Sequence, residues 1–269
     1  MADYGTESRY PEQAGTYDAT RSASPAVLRP LLRFLGPGAG RTLLDIAGGT
    51  GNYARALLER GFEPVVVDRE PAMLRRSTEK IGPGRQILAD GHHLPVREGG
   101  VDAAMLVSAL HQFSDQRGAL AEARRVIRDG PLVLQAFPKE SLEPSFVFEY
   151  FPGSDPPPGL HLREDEIEAV LLDVGFSRVE WERFVYDDLS DGTLHALHID
   201  PEAMADPDRL RNTSFFQRLA PEVQRAGLEA LRRDLRSGVL EERVRESLRT
   251  AERSGHGTVF AAWPGSSRG

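Results

Sequence analysis

Short apolar runs alternate with amphipathic stretches along most of the chain. Runs such as TLLDI and EPVVV are continuously apolar, which is typical of strands buried on both faces of a parallel sheet. The stretches between them repeat apolar residues at helical spacing, and several begin at proline or end at glycine. We therefore predict strands near residues 41–47, 63–67, 85–89, 101–109, 131–137, 176–186 and 257–263, and helices near residues 26–35, 52–60, 71–80, 115–128, 163–174, 221–236 and 239–253.

This alternation predicts an α/β fold built on a doubly wound, mostly parallel seven-stranded sheet. Residues 26–186 and 255–264 are expected to form the sheet domain. Residues 139–161 are rich in aromatic residues and proline, which favours a loop over the rim of the sheet. Residues 187–254 have little strand signal and two good helical stretches, so they predict a helical insertion, or lid, before the last strand.

Composition and charge exclude several classes of function. The chain has 269 residues and no cysteine, which rules out disulfides, thiolate zinc sites and a cysteine nucleophile. With 33 basic and 41 acidic residues its net charge is −8, and no basic cluster is present for binding nucleic acid or a membrane surface. The start of the chain has no signal-peptide pattern and no apolar run is long enough to span a membrane, which predicts a cytoplasmic protein.

Polar residues stand where the predicted strands end. Asp45, Asp68, Asp90 and Ser108 each lie at or just beyond a strand end, and ligand sites in such sheets lie outside the carboxyl ends of the strands. The glycine cluster after Asp45 lets the backbone turn tightly and approach a ligand closely. Taken one at a time, these aspartates also fit structural roles, since Asp68 can cap a helix and Asp90 can close a turn.

The glycine cluster fits two cofactors. Residues 49–54, GTGNYA, match the dinucleotide fingerprint, and Asp68 lies at a suitable distance for a nicotinamide-dependent oxidoreductase. Asp45, before the glycines, and Asp90, after the third strand, are not part of that fingerprint. They favour a different cofactor in the same position.

Four motifs in order carry a family resemblance: LLDIAGGTG, VVVDREPAML, ILADGHHLPV and VDAAMLVSALHQFSD. With them the chain resembles the class I S-adenosylmethionine-dependent methyltransferases, in particular the small-molecule group that includes quinone C-methyltransferases. Ala47 stands where the first glycine of the motif is more usual. The resemblance implies a Rossmann-like methyltransferase fold, S-adenosyl-L-methionine as cofactor and S-adenosylhomocysteine as product.

The resemblance also implies roles for individual residues. The methionine and ribose end of the cofactor would lie against Asp45 and the backbone of the glycine cluster, Asp68 would bind the ribose hydroxyls, and Asp90 would accept from the adenine amino group. Residues 1–25 would fold over the cofactor. The cofactor-binding set implied in this way is Asp45, Ala47, Gly49, Gly51, Asp68, Met73, Asp90, Gly91, His92 and Ser108.

The acceptor of the methyl group is expected to be a small molecule, such as a specialised metabolite or a quinone-like compound. His111, just past the fourth strand, is a candidate base or pocket residue. Candidate residues of the acceptor pocket are Tyr10, Tyr17 and Arg21 in the N-terminal segment, and Phe146 and Tyr150 beyond the fifth strand. The last two belong to an aromatic cluster, Phe146, Phe148, Tyr150 and Phe151, which fits either a wall for an apolar acceptor or ordinary packing under the insertion.

Two histidines in the insertion, His195 and His198, have a spacing typical of a solvated helical face, and no metal site is predicted from them. The insertion also offers a surface for homo-oligomer formation. Two other interpretations stay open from the residues: a nicotinamide-dependent oxidoreductase, and a scaffold that binds S-adenosylmethionine without catalysis.

Overall fold

A computed structural model describes residues 17–142 and 145–265. Its strands are β1 (Thr42–Ile46), β2 (Glu63–Asp68), β3 (Gln86–Leu88), β4 (Ala103–Val107), β5 (Leu132–Ala136), β6 (Phe176–Phe184) and β7 (Gly257–Pro264). The helices are α1 (Tyr17–Thr20), α2 (Pro25–Leu35), α3 (Asn52–Leu58), α4 (Pro71–Ile81), α5 (Gln116–Val126), α6 (Lys139–Leu142), α7 (Val147–Tyr150), α8 (Glu164–Asp173), α9 (Leu194–Leu197), α10 (Pro201–Met204), α11 (Pro207–Arg211), α12 (Ser214–Gln217), α13 (Pro221–Ser237) and α14 (Val239–Ser254). A short 3-10 helix covers Leu110–Gln112.

The strands form one seven-stranded sheet in the order β3-β2-β1-β4-β5-β7-β6. The first five strands in this order, β3, β2, β1, β4 and β5, pair in parallel with their neighbours. Strand β7 runs antiparallel to both β5 and β6. The predicted α/β fold with a mostly parallel seven-stranded sheet is therefore confirmed.

Apolar side chains are buried on both faces of the sheet, as the continuous apolar runs predict. On β4, Ala103 and Met105 belong to the core on one face, and Ala104 and Leu106 belong to the core on the other. All four have less than 1% of their surface exposed. This two-sided burial holds the strand ends in fixed positions relative to one another.

The strand order indicates where a ligand can bind along the edge of the sheet. β1 pairs with β2 on one side and with β4 on the other, so the chain changes direction across the sheet at β1. A crevice opens outside the carboxyl ends of the strands at such a switch point. The loops that follow β1, β2 and β4 therefore meet at one rim.

The described residues 145–151 and 194–254 form a layer of helices, called the helical layer below. Its own core contains Phe151, Leu197, Met204, Leu231 and Leu240, each with no more than 1% of its surface exposed. The segment expected to be a loop, residues 139–161, contains the short helices α6 and α7. None of the described helices is both long enough and apolar enough to cross a membrane.

Candidate functional site

A cavity of about 220 Å³ lies at the rim where β1, β2 and β4 end. Its lining comes from the turns after these strands and from the N-terminal segment. It includes nearly all of the cofactor-binding residues predicted from the sequence: Asp45, Ala47, Gly49, Asp68, Met73, Asp90, Gly91, His92 and Ser108. The fold thus brings together residues that are up to 63 positions apart in the sequence, from Asp45 to Ser108.

Asp45, one residue before the end of β1, lines this cavity. Only 2% of the residue is exposed. Burial raises its pKa well above the ordinary carboxyl value, and the negative charge of Asp68 adds to the effect. Gly48 makes room for this carboxylate, since a Cβ at position 48 would overlap the Asp45 side chain. A buried acid beside a close backbone turn suits a ligand that brings positive charge.

The turns after β1 and β4 use a left-handed backbone conformation. Ala47 and Ser108 both have a φ of 55°, although neither is glycine, and Gly49 has a φ of 57°. Such values are strained for residues with a side chain, and strain of this kind is concentrated at functional sites. The conformation of Ala47 explains why glycine is the more usual residue there in the family that the motif resembles.

Gly51 was predicted to bind the cofactor, but in the structure it packs one helix against another. It is not among the residues that line the cavity. It caps the start of α3 with a φ of 75°, and a Cβ there would lie 2.9 Å from the hydroxyl of Ser77 on α4. Gly51 therefore permits close packing of α3 against α4 and acts on the cavity through the position of the turn.

Asp68 ends β2 and faces Asp45 across the turn. Its Oδ2 accepts a hydrogen bond of 2.9 Å from the backbone N–H of Gly49, and its Oδ1 accepts one of 2.9 Å from the N–H of Glu70. Burial raises its pKa, while these two hydrogen bonds act in the opposite direction. Each carboxylate oxygen has a further lone pair, so Asp68 can still accept from a ligand.

The residues after β3 form the other end of the cavity. Asp90 accepts a hydrogen bond of 2.8 Å from the backbone N–H of His92, and this bond lowers the pKa of Asp90. A Cβ on Gly91 would lie 2.6 Å from the ring of Phe113, so the glycine allows that ring to approach. Met73 is 3% exposed and adds an apolar surface to the same end. A flat ring with a hydrogen-bond donor at its edge fits this composition.

Residues of the described part of the N-terminal segment contribute to the cavity. Tyr17 and Arg21, which were predicted for the acceptor pocket, both line it, whereas Tyr10 lies outside the described residues. The Arg21 guanidinium donates a hydrogen bond of 2.6 Å to Asp191, and the hydroxyl of Tyr53 donates one of 2.9 Å to the same carboxylate. Asp191 belongs to the connection between β6 and α9 and lines the same cavity, so this wall joins the N-terminal segment to the residues after β6.

A second contact holds the same segment over the glycine turn. Lys80 on α4 lies 2.6 Å from the carboxylate of Asp18, and the hydroxyl of Thr50 donates a hydrogen bond of 2.8 Å to that carboxylate. Lys80 is one of two lysines in the chain. The helix α1 is thereby attached to the turn that follows β1.

A second cavity, of about 120 Å³, lies next to the first on the side of the helical layer. The two share four lining residues: Tyr17, Arg21, Ser108 and Gln112. The predicted residue His111 lines the second cavity and stacks on His161 with ring centroids 5.0 Å apart. Burial, His161 and Arg218 lower the pKa of His111 to about 3, so its imidazole is neutral at physiological pH.

One member of the predicted aromatic cluster lines the second cavity, and the two candidates chosen from that cluster do not. Phe146 and Tyr150 do not line it; they pack inside the helical layer, where the Tyr150 hydroxyl donates a hydrogen bond of 2.6 Å to Asp234. Phe148 lines the cavity instead, together with Phe215. Residues two positions apart lie on opposite sides of a helical turn, which is why Phe148 points away from the other two.

The expected solvated face at His195 and His198 is wrong, since their exposed fractions are 5% and 2%. His195 stacks on Phe137 with ring centroids 4.3 Å apart and lines the second cavity. His198 lies in the core, with its Nδ1 2.8 Å from the carbonyl of Leu194 and its Nε2 2.8 Å from the hydroxyl of Ser145. Within residues 17–142 and 145–265, no group of three or more acidic or histidine side chains is arranged to hold a metal ion.

Several residues of the site were not found from sequence patterns. Gly48 was not predicted as a site residue. The two adjacent glycines that follow Asp45 closely in the sequence do indicate a backbone that must pass near the aspartate. Asp191, Phe215 and Arg218 belong to the insertion, where no local motif distinguishes a cavity residue from a surface residue. Their positions depend on contacts between distant parts of the chain.

Residues 44–134 of the chain match the profile of a methyltransferase-domain family. The chain is 32% identical over 116 residues to an uncharacterized methyltransferase of Mycobacterium tuberculosis, a match that covers 43% of this chain and 46% of the relative. It is 36% identical over 114 residues to the ubiquinone/menaquinone biosynthesis C-methyltransferase UbiE of Acidiphilium cryptum, covering 38% of this chain and 44% of that one. The chain thus spans about half the length of the curated relatives it matches.

Among solved structures, a putative methyltransferase from an antibiotic biosynthesis pathway of Anabaena variabilis has a similar fold. The TM-score is 0.76 at 24% identity, and the superposition covers 91% of this chain and 98% of the other. At this level of identity the likeness concerns the fold. It extends well beyond residues 44–134 and includes much of the helical layer.

Proposed function

We propose that this chain, whose fold and central domain are those of the class I S-adenosylmethionine-dependent methyltransferases, transfers the methyl group of S-adenosylmethionine to a small-molecule acceptor. The two adjoining cavities support a reaction between two ligands. The names of the relatives, which include a quinone C-methyltransferase and a protein of an antibiotic pathway, support a quinone-like compound or a specialised metabolite as the acceptor.

The pair of buried carboxylates beside the glycine turn carries this proposal. Asp45 and Asp68 have exposed fractions of 2% and 9%, and the charge of Asp68 contributes to the raised pKa of Asp45. A cationic ligand relieves the repulsion between two such groups, whereas the pyrophosphate of a nicotinamide dinucleotide adds negative charge to it. The sulfonium and ammonium groups of S-adenosylmethionine match the site, and the oxidoreductase interpretation has less support.

The residues present fit the cofactor along its whole length. Asp45 and the backbone of the turn at Ala47 and Gly49 would hold the methionine end, Asp68 would accept from the ribose hydroxyls, and the residues after β3 would hold the adenine. When bound, S-adenosylmethionine would supply an electrophilic methyl group: the acceptor's nucleophile bonds to the methyl carbon in line with the carbon–sulfur bond, which breaks and leaves S-adenosylhomocysteine as the neutral thioether. The protein's contribution is to hold the acceptor at the correct angle in a site without water.

The shared lining of the two cavities supports a position for the transfer. Tyr17, Arg21, Ser108 and Gln112 contribute to both, so the acceptor would meet the methyl group near these residues. His111 lines only the acceptor side. With a pKa of about 3 it is a weak proton acceptor, and this supports a role in orienting the acceptor by a hydrogen bond more than a role as a strong base.

The proposal is tested by incubating the full chain with methyl-labelled S-adenosylmethionine and an extract of the host organism, followed by mass spectrometry. We expect label in a small molecule with the native chain, and little label with Asp68→Asn, which keeps the size of the side chain and removes its charge. Asp187→Asn, an exposed change, is the matched control. Tight cofactor binding without transfer to any compound would support the non-catalytic scaffold instead.

A further inference from the structure

Two stacked pairs of rings contribute to the lining of the second cavity. His111 stacks on His161 with ring centroids 5.0 Å apart, and Phe137 stacks on His195 with centroids 4.3 Å apart and an angle of 5° between the ring planes. All four residues line the cavity. Flat surfaces of this kind bind planar groups by stacking and edge contacts, so the lining is suited to an aromatic ligand.

Phe137, directly after β5, connects the two pairs. Its ring stacks on His195, and its backbone carbonyl oxygen lies 2.9 Å from the Nδ1 atom of His161. A carbonyl oxygen can only accept a hydrogen bond, so the Nδ1 atom of His161 carries a hydrogen and donates it. The backbone after β5 thereby fixes which nitrogen of this imidazole is protonated.

The other nitrogen of His161 is left with a lone pair. Burial lowers the pKa of His161, so the ring is neutral at physiological pH and has a single N–H. Because that N–H is at Nδ1, the Nε2 atom can only accept a hydrogen bond. It makes none with residues 17–142 or 145–265. Nε2 is therefore the polar atom that this side chain can offer to a ligand in the cavity.

A second imidazole of the lining also lacks a partner. The Nε2 atom of His195 is buried and has no hydrogen-bond partner among the residues that the structure describes, and the residue as a whole is 5% exposed. Buried polar groups in native proteins are nearly always hydrogen-bonded. A group without a partner in the wall of a cavity is thus an independent indication that something polar binds there.

The charged side chains of the lining already have partners. Arg21 donates to the buried carboxylate of Asp191 at 2.6 Å, and Arg218 also has an interaction partner in the protein. Among the residues that the structure describes, the lining contains no aspartate or glutamate. A ligand therefore need not bring a charge of either sign, and the imidazoles are available for its polar recognition.

We infer that His161 selects the acceptor: its Nε2 atom accepts a hydrogen bond from an O–H or N–H group of an aromatic compound whose ring lies against the stacked side chains. The inference rests on the proposed function, since it concerns the acceptor side of the same site. A carbonyl or ether oxygen in the same position would face the lone pair of Nε2 and leave it without a partner. His161 is in this sense a residue that determines specificity, and the carbonyl of Phe137 holds it in the accepting form.

The test compares two neutral probes of the same shape, indole and benzofuran, with the full chain saturated with S-adenosylhomocysteine at neutral pH. Indole has an N–H group where benzofuran has an oxygen atom. Titration followed by NMR gives the affinity of each probe. We expect indole to bind at least about fivefold more tightly, because a hydrogen bond between neutral groups has roughly that effect.

The matched variants replace a histidine by phenylalanine at two positions. His161→Phe keeps a flat ring and removes both nitrogen atoms, so it should abolish the preference for indole and leave the affinity for benzofuran nearly unchanged. His93→Phe makes the same change at an exposed position outside both cavities and should keep the preference. Equal binding of the two probes to the native chain, binding of neither, or a preference that survives in His161→Phe would overturn the inference.

The nitrogen NMR signals of His161 test the inference even if His161→Phe does not fold. We expect a protonated Nδ1 and an unprotonated Nε2 in the native chain, and a shift of the Nε2 signal on addition of indole but not of benzofuran. A proton on Nε2, or the same response to both probes, would contradict the assigned role. Failure of S-adenosylhomocysteine to bind would instead contradict the proposed function, and the probe series with the same chain would still decide the role of His161.

Discussion

The guanidinium of Arg21 and the carboxylate of Asp191 are joined by a hydrogen-bonded ion pair of 2.6 Å across 170 positions of sequence. Both side chains are nearly buried, with exposed fractions of 12% and 3%. Backbone hydrogen bonds on either side, from Ser22 to Ser190 and from Gly192 to Thr20, bring the two segments together. The pair thus connects the start of the described chain to the segment after β6, and both residues line the first cavity.

Removal of this carboxylate should destabilise the fold strongly. Asp191→Asn leaves the Arg21 cation buried without its counter-charge, and we expect a loss of about 3–5 kcal/mol in the free energy of unfolding. Chemical denaturation measures it. Asp187→Asn is the matched control, because the ion pair of Asp187 with Arg29 is more than half exposed and should contribute at most about 1 kcal/mol. Equal losses in the two variants would contradict the importance of the buried pair.

Ala47→Gly is expected to stabilise the protein. The φ of 55° at this position strains an alanine and costs a glycine little. We expect a gain of about 1 kcal/mol, and thus an increase of about 2–4 °C in melting temperature, measured by calorimetry. A clear decrease in melting temperature would mean that the methyl group of Ala47 makes contacts that outweigh the strain.

Gly48→Ala tests the space reserved for Asp45. The new Cβ would overlap the buried carboxylate, so the turn or the aspartate must move. We expect the affinity for S-adenosylhomocysteine to fall by at least about tenfold, because the loss of a hydrogen bond to a charged group has roughly that effect. Gly84→Ala is the control: its φ of 83° makes alanine unfavourable, but nothing lies near its Cβ and it is far from the cavity. It should cost stability and leave affinity unchanged.

The buried histidines should make stability fall as the pH falls. Burial lowers the pKa of His198 to about 3, whereas the unfolded chain has an ordinary histidine pKa of about 6.5. Below that value the unfolded state binds a proton that the folded state does not, so the stability contributed at neutral pH is lost progressively toward pH 3.

Substitution of this histidine isolates its share of the effect. Between pH 6 and 5, His198→Gln should show a pH slope of the unfolding free energy that is smaller than the native slope by up to about 1.4 kcal/mol per pH unit. Urea denaturation at a series of pH values gives both slopes. Parallel curves for the two proteins would show that His198 is protonated in the folded state as readily as in the unfolded one.

Local patterns were sufficient for the sheet and for many of the residues that line the first cavity. Continuous apolar runs identify strands that are buried on both faces, and strand-end residues such as Asp45, Asp68 and Asp90 follow from the position of each strand. The lining of the second cavity depends on tertiary contacts instead. Whether Phe146 or Phe148 faces the cavity is decided by how a helix of four residues is turned against the helices of the insertion, and no periodicity can be read from so short an element.

The buried histidines show the same limit. His195 and His198 are spaced as residues on an exposed helical face often are, yet they are covered by Phe137 and Ser145 from other parts of the chain. Arg218 lies in a stretch without any motif. The residues that line the second cavity from the insertion therefore could not be predicted from local sequence patterns.

The choice of cofactor is tested most directly by calorimetric titration of the native chain with S-adenosylhomocysteine and, separately, with NAD. The buried carboxylates Asp45 and Asp68 and the lining of the first cavity predict saturable binding of S-adenosylhomocysteine at one site per chain, weakened in Asp68→Asn. They predict no measurable binding of NAD. Binding of NAD without binding of S-adenosylhomocysteine would contradict the account.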